Sequence, residues 1–134
     1  MRVVLDTNVV VSGLLSPQGT CARLIDLVAD GALSPCVDDR IMAEYESVLR
    51  HPRLRINAQD AQVVLALFVH AGVPVAAPPL SVRLPAPGDL PFLEVAAAAD
   101  APLVTGNMRH YPTRAGISVT VLSPTEFLEG LSGR

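Results

Sequence analysis

Arg2-Val3-Val4-Leu5-Asp6-Thr7-Asn8-Val9 is the stretch on which the reading of this chain turns. An apolar, β-branched run stops at a carboxylate, a hydroxyl and an amide, and a helix-like segment follows at once. That pattern belongs to a buried parallel strand delivering polar side chains to its carboxyl end. Open α/β sheets bind their ligands in the crevice at those ends. A strand-terminal acid such as Asp6 has no routine structural role and serves neither solubility nor packing.

Working outward, strands and helices alternate. Val3 to Asp6 reads as the first strand and Val9 to Leu15 as a short helix, broken at Ser16-Pro17-Gln18-Gly19. Cys21 to Ala29 is the next helix and Leu33 to Val37 a second strand. Asp38 and Asp39 are cap candidates for a helix over Arg40 to Arg50, ended by Pro52. A helix from Asn57 or Ala58 to Ala71 stops at Gly72, and Val73 to Ala76 is a weak third strand. Six of the twelve prolines fall between Pro74 and Pro91, a stiff loop rather than an interdomain linker. Then come a helix over Leu90 to Ala99, strands at Leu103 to Thr105 and Val119 to Leu122, and a last helix over Thr125 to Leu131 that Ser123 caps. Such alternation implies an α/β fold with a central parallel sheet and helices on both faces. With 134 residues, residues 1–134 fit a single domain that buries roughly two-thirds of its unfolded surface.

Composition narrows the function. Half of the residues are hydrophobic and mean hydropathy is +0.41, which excludes a disordered chain. The net charge of −3 argues against a generally basic, duplex-coating protein, without excluding a local basic patch. All ten basic residues are arginine, and Arg50, Arg53 and Arg55 cluster. Cys21 and Cys36 are too few for a disulfide framework and lack metal-ligand spacing, so they read as buried hydrophobes of a reducing cytoplasm. Arg2 ahead of an apolar stretch superficially resembles a signal peptide, but Asp6 and Asn8 interrupt it. No run approaches a membrane span, so the expectation is a soluble cytoplasmic protein.

Four segments carry candidate chemistry: Asp6-Thr7-Asn8, Glu44, Asp89, and Thr105-Gly106-Asn107. In the helix holding Glu44, the residues Ile41, Tyr45, Val48 and Leu49 form one apolar stripe. Glu44 borders that stripe and Glu46 lies away from it. In the following acidic helix Phe92, Leu93, Ala96 and Ala99 define the buried face. Asp89 projects to that side and Glu94 points nearly opposite. Glu44 and Asp89 are therefore expected to face inward, and Glu46 and Glu94 to be solvent-facing acids. Taken singly, Asp89 reads as an N-cap and Thr105-Gly106-Asn107 as a turn. Taken together, carboxylates converging in a crevice repel one another unless a cation compensates them. Oxygen-only ligation suits Mg²⁺ or Mn²⁺ rather than zinc.

These segments resemble the successive motifs of the PIN-domain family. The matching stretches are Val4-Leu5-Asp6-Thr7-Asn8-Val9, Ala43-Glu44-Tyr45-Glu46-Ser47-Val48-Leu49-Arg50-His51-Pro52, Asp89-Leu90-Pro91-Phe92-Leu93-Glu94-Val95-Ala96 and Leu103-Val104-Thr105-Gly106-Asn107-Met108-Arg109-His110-Tyr111-Pro112. The branch they are similar to is the VapC toxins of bacterial toxin–antitoxin pairs. Any one motif is weak, but four in the right order span nearly the whole chain.

The resemblance implies a three-layer α/β/α fold and a metal-dependent ribonuclease that cleaves single-stranded RNA and is held inactive by an antitoxin protein. Asp6, Glu44 and Asp89 match the family's acidic positions as catalytic residues and ligands of Mg²⁺ or Mn²⁺. Thr7, Asn8 and Thr105 match supporting polar positions. Asn107 stands where many PIN domains carry a fourth acid; its amide oxygen can ligate a cation but adds no charge. Arg50, Arg53 and Arg109 are candidate contacts to RNA phosphates. His51 and His110 each follow an arginine and read as peripheral polar residues rather than general bases. The Pro-rich loop and apolar composition suggest a partner or homodimer surface. Two alternatives compete. A haloacid-dehalogenase-like phosphatase also carries an Asp after its first strand, but Asn8 occupies the place of its second Asp and the chain has no lysine. A catalytically weak PIN-like RNA- or protein-binding module has Asn107 as its main support.

Overall fold

The computed structural model describes residues 1–112 and 117–132. Five strands form one sheet: β1 (Arg2–Leu5), β2 (Ser34–Val37), β3 (Val73–Pro74), β4 (Leu103–Val104) and β5 (Val121–Leu122). Six helices accompany them: α1 (Thr7–Leu15), α2 (Thr20–Ala29), α3 (Asp39–Leu49), α4 (Ala58–Ala71), α5 (Leu90–Ala99) and α6 (Pro124–Ser132). The strand order is β3-β2-β1-β4-β5, and every neighbouring pair is parallel. The connections β1→β2→β3 step one way along the sheet, and β3→β4 steps back across it. Right-handed crossovers therefore put helices on both faces, giving the expected three layers. The reversal makes β1 the central strand, and its carboxyl end is the switch point of the sheet.

Side-chain caps set several helix starts, two of them at Asp38 and Ser123, as expected from the sequence. The Asp38 carboxylate accepts the Ile41 N–H at 2.9 Å, and Asn57 accepts those of Gln59 and Asp60. Ser123 and Glu126 bond reciprocally, N–H to carboxylate at 2.9 Å and N–H to hydroxyl at 3.1 Å, a capping box at the start of α6. Helix α1 begins at Thr7, earlier than the expected Val9, because Asp6 itself caps it and accepts the Thr7 N–H at 2.8 Å. The expected strands Val73–Ala76, Leu103–Thr105 and Val119–Leu122 shrink to two residues each. Single bonds carry the pairing past the ladders: the Val75 N–H reaches the Val37 carbonyl and the Thr105 N–H that of Leu122, each at 2.9–3.0 Å.

The core gathers Val3, Val4 and Leu5 of β1 with Ile41, Tyr45, Phe68, Phe92, Leu103 and Val104. Tyr45 meets Phe68 edge-on at 5.4 Å and Phe92 at 6.1 Å, and its hydroxyl donates to the Leu5 carbonyl. That bond ties α3 to the end of β1, directly beside Asp6. Helix α1 crosses α2 closely at Gly13, where a Cβ would stand 2.4 Å from Ile25 Cδ1. Among the described residues, no helix is long and apolar enough to cross a membrane.

One expectation fails here. Glu94 is not a solvent-facing acid but is 3 % exposed. It accepts the Arg40 Nη1 hydrogen bond at 2.6 Å and the Leu80 N–H at 2.7 Å. The angular argument assumed one buried face for α5, whereas Phe92 through Ala96 are all buried. Helix α5 lies on β1, β2 and β4, and also meets α3. The segment around Leu80 and the Arg40 side chain, from the start of α3, close over what would have been its wet side.

Candidate active site

The register of the sheet builds the centre of the site. Val4 pairs with Leu103 and Leu5 with Val104, so Asp6 and Thr105 follow side by side at the strand ends. Asp6 is 2 % exposed, yet its carboxylate is fully partnered. Oδ1 accepts the Thr7 N–H at 2.8 Å. Oδ2 accepts from the hydroxyls of Thr105 and Tyr111, each at 2.9 Å, and from the Asn8 amide at 3.3 Å. The Thr105 hydroxyl in turn accepts the Asn107 N–H at 3.0 Å. Asn8 clamps the turn after β4, because its Oδ1 accepts the Gly106 N–H at 2.8 Å. A Cβ at residue 106 would sit 3.2 Å from that oxygen, a tight approach that a larger residue could make only by pushing Asn8 back by a few tenths of an ångström.

Glu44 and Asp89 come in from two other elements. Glu44 precedes the anchored Tyr45, and its Oε2 accepts the Thr7 hydroxyl. Its Oε1 faces the residue before Asp89, since a Cβ built on Gly88 would stand 3.9 Å away. Asp89 ends a 3₁₀ turn over Pro87–Asp89, and its side chain makes no capping bond to α5. The N-cap reading is therefore not what the geometry shows. Its Oδ2 instead meets His110 Nδ1 at 2.7 Å, and His110 Nε2 meets the Asn107 amide nitrogen at 2.7 Å. The chain of contacts thus runs from Asp6 through Thr105, Asn107 and His110 to Asp89.

Residues 2–109 match the PIN domain family. The chain belongs to that family. No curated protein matches the sequence. The fold of this PIN domain is similar to that of VapBC2 from Rickettsia felis, bound to a DNA fragment from their promoter. The TM-score is 0.59 at 16% identity, with 92% of this chain and 98% of the other covered. FitAcB from Neisseria gonorrhoeae aligns with a TM-score of 0.58 at 19% identity, covering 93% and 99%. FitAB bound to an IR36 DNA fragment aligns at 0.57 and 19% identity, covering 92% and 95%. At such identities the likeness concerns the fold.

The electrostatics of the site follow from its crowding. Burial pushes the Glu44 acid above the ordinary carboxylate range, and the charges of Asp6 and Asp89 push it further, against the Thr7 hydroxyl. Burial and Asp6 likewise raise Asp89, while its hydrogen bond to His110 acts the other way. The Tyr111 phenol is pushed up by burial and by Asp6, Asp89 and Glu44. Three elements thus deliver carboxylates that feel one another through a partly dry crevice.

Their fit to a cation is a matter of donor type and charge. As placed, no three His, Cys, Asp or Glu side chains among the described residues stand close enough to enclose a metal ion. The donors are nonetheless all oxygen, and one divalent charge relieves the mutual repulsion that raises Glu44 and Asp89. Glu44 and Asp89 are only partly buried, whereas Asp6 is enclosed. The residues therefore fit a small oxygen-preferring cation.

Sequence reasoning missed two members of this network. His110, read as peripheral, bonds two site side chains, and Tyr111 bonds Asp6 across 105 positions. The available signal was their place, three and four residues after Asn107, in a turn leaving a strand that lies beside β1. The arginines divide. Arg50 lies six residues beyond Glu44, about 9 Å along the helix. It is engaged with Glu46 at 3.6 Å and Gln62 at 2.8 Å. Arg53 lies beyond that, in the 3₁₀ turn at Pro52–Leu54. Arg109 is exposed within the turn that joins Asn107 to His110.

Proposed function

We propose that this PIN domain is a metal-dependent endoribonuclease acting on single-stranded RNA in the cytoplasm, and that it is the toxin of a toxin–antitoxin pair. The observation that carries the reading is the approach of Asp6, Glu44 and Asp89, each from a different element, closely enough that the charges of Asp6 and Asp89 raise the pKa of Glu44 and the charge of Asp6 raises that of Asp89. A structural protein gains nothing from that arrangement, because like charges brought together destabilise the fold. A hydrolase gains a place for a cation.

Asp6, Glu44, Asp89 and the Asn107 carbonyl are the groups that would hold Mg²⁺ or Mn²⁺. Such an ion supplies an activated water and charge relief at the phosphoryl oxygens. The chain's own groups supply the rest. Thr7 holds Glu44, while Thr105, Asn8 and Tyr111 hold Asp6. Arg109, exposed in the turn between Asn107 and His110, is the arginine we assign to a substrate phosphate as a bidentate partner. Arg50 and Arg53 serve a longer RNA only where it follows α3 away from the crevice. The phosphatase alternative loses ground because Asn8 is committed to the Gly106 turn. The toxin assignment rests on the resemblance to VapC toxins and on the fold shared with VapBC2. Exposed Val63 and Val69 of α4 offer an apolar surface to an antitoxin or a second copy.

The test is incubation of the purified protein with a mixed single-stranded RNA pool and Mg²⁺ or Mn²⁺, with and without EDTA. Cleavage should vanish with EDTA and in Asp6→Asn, whose neutral amide cannot replace a carboxylate. Equal cleavage by Asp6→Asn means that the chemistry is elsewhere.

A further inference from the structure

We infer that the adjacent residues His110 and Tyr111 are positioning residues of the site, one fixing Asp89 together with Asn107 and the other fixing Asp6. The inference deepens the reading above and rests on it. Both residues leave the 3₁₀ turn at Met108–His110, which is closed by the His110 N–H on the Asn107 carbonyl and the Tyr111 N–H on that of Met108, each at 3.1 Å. From this short turn their side chains reach two carboxylates that belong to distant parts of the chain.

The hydrogen-bond chemistry of His110 has a definite sense. An ionised carboxylate only accepts, so in the 2.7 Å contact with Asp89 Oδ2 the proton sits on Nδ1. A neutral imidazole then presents Nε2 as an acceptor, and the Asn107 amide nitrogen, 2.7 Å away, is the donor that it meets. One tautomer satisfies both neighbours. It also settles which atoms remain: Oδ1 of Asp89 and Oδ1 of Asn107, both oxygens suited to a hard cation. Without the imidazole, nothing in this pair of contacts prevents the Asn107 amide from turning its nitrogen to the site.

Tyr111 does the matching work on Asp6. Its ring is buried and its hydroxyl is one of three donors on Oδ2, the others being Thr105 and Asn8. Three donors crowd one oxygen that offers two lone pairs, so the carboxylate cannot swing, and Oδ1, with the single Thr7 N–H, is left as the less occupied oxygen. Partners of this kind, which orient a ligand without touching the ion, change metal affinity by about 10–100-fold when removed.

The experiment measures Mn²⁺ binding by calorimetry on the metal-free protein, beside the turnover of RNA, for the unmodified chain, Tyr111→Phe, His110→Ala, His110→Asn and His110→Gln. Asn places an amide N–H near the position of Nδ1, and Gln reaches toward that of Nε2. We expect Mn²⁺ affinity to fall about tenfold in Tyr111→Phe and roughly 10–100-fold in His110→Ala. His110→Asn should recover most of the loss, and His110→Gln much less. Tyr111→Phe and His110→Asn alter few contacts, so they keep the test alive if His110→Ala fails to fold. Unmodified affinity in both Tyr111→Phe and His110→Ala overturns the inference and leaves the nuclease reading standing. So does an equal loss in the Asn, Gln and Ala variants, which marks a packing role. An unmodified protein that binds no Mn²⁺ and cleaves no RNA overturns both.

Discussion

Replacing Glu94 by glutamine perturbs a buried carboxylate that has two donors. Arg40 Nη1 approaches at 2.6 Å and the Leu80 N–H at 2.7 Å. Gln keeps one acceptor oxygen and turns its other end into a donor, so one of the two partners must face an N–H. Hydrogen bonds to a charged group contribute about 1.5–3 kcal/mol each, and breaking a fully buried pair costs about 3–5 kcal/mol. The present pair belongs below that upper range, because Arg40 is 47% exposed and keeps its 2.7 Å bond to Asp38. The expected loss is about 2–3 kcal/mol. At roughly 4 °C per kcal/mol for a domain of this size, Tm should drop by about 8–12 °C. Glu46→Gln is the control: its carboxylate is 64% exposed, its Arg50 partner is 3.6 Å away, and its loss should stay within about 0.5 kcal/mol. Thermal and urea unfolding followed by circular dichroism measure both. A double-mutant cycle with Arg40→Met should return a coupling of about 1 kcal/mol or more. If Glu94→Gln behaves like Glu46→Gln, or if that coupling is nil, the two contacts do not hold the Leu80 segment against α5, and the account of its second buried face fails.

Two further outcomes can be checked on the same protein. Glu44 is raised in the folded state, so the fold binds its proton more tightly than the unfolded chain does. Its ionisation becomes unfavourable as pH rises through the ordinary carboxylate value. In EDTA, Glu44→Gln should therefore melt higher than the unmodified protein near about pH 7, with the gap closing near about pH 4. A gap that widens on acidification contradicts the direction of the shift. Tyr45→Phe keeps the contacts to Phe68 and Phe92 but strips the Leu5 carbonyl of its partner. It should cost about 1–2 kcal/mol in urea unfolding and lower RNA turnover by loosening α3 beside Glu44, and an unchanged midpoint would show that the hydroxyl holds nothing.

What the sequence reveals and conceals divides along physical lines. The run Val3-Val4-Leu5 declares a buried strand, and Asp38, Asn57 and Ser123 announce helix starts because capping is a local, few-residue event. Helix α5 runs from Leu90 to Ala99 as expected, with Pro91 in its first turn, and a left-handed Asp100 ends it. The two-residue strands are less visible, since their length depends on what a neighbour offers and not on their own side chains. Glu94 misleads because helix periodicity finds one apolar face but cannot see a loop closing over the other. His110 and Tyr111 are hidden for a related reason: their importance lies in partners 21 and 105 positions away, and spacing along the chain carries no record of that.

The long reach of those bonds also bears on how the protein is made. Asp6 emerges well before its partners, because the Thr105 and Tyr111 hydroxyls that hold it lie 99 and 105 positions later. Closing so large a loop is entropically late, and during synthesis the early segments collapse before β4 exists. A nascent chain in which β4 has not yet docked therefore carries a loosely held aspartate and no assembled site. An assembled site arrives only once β4 and the turn after it have emerged.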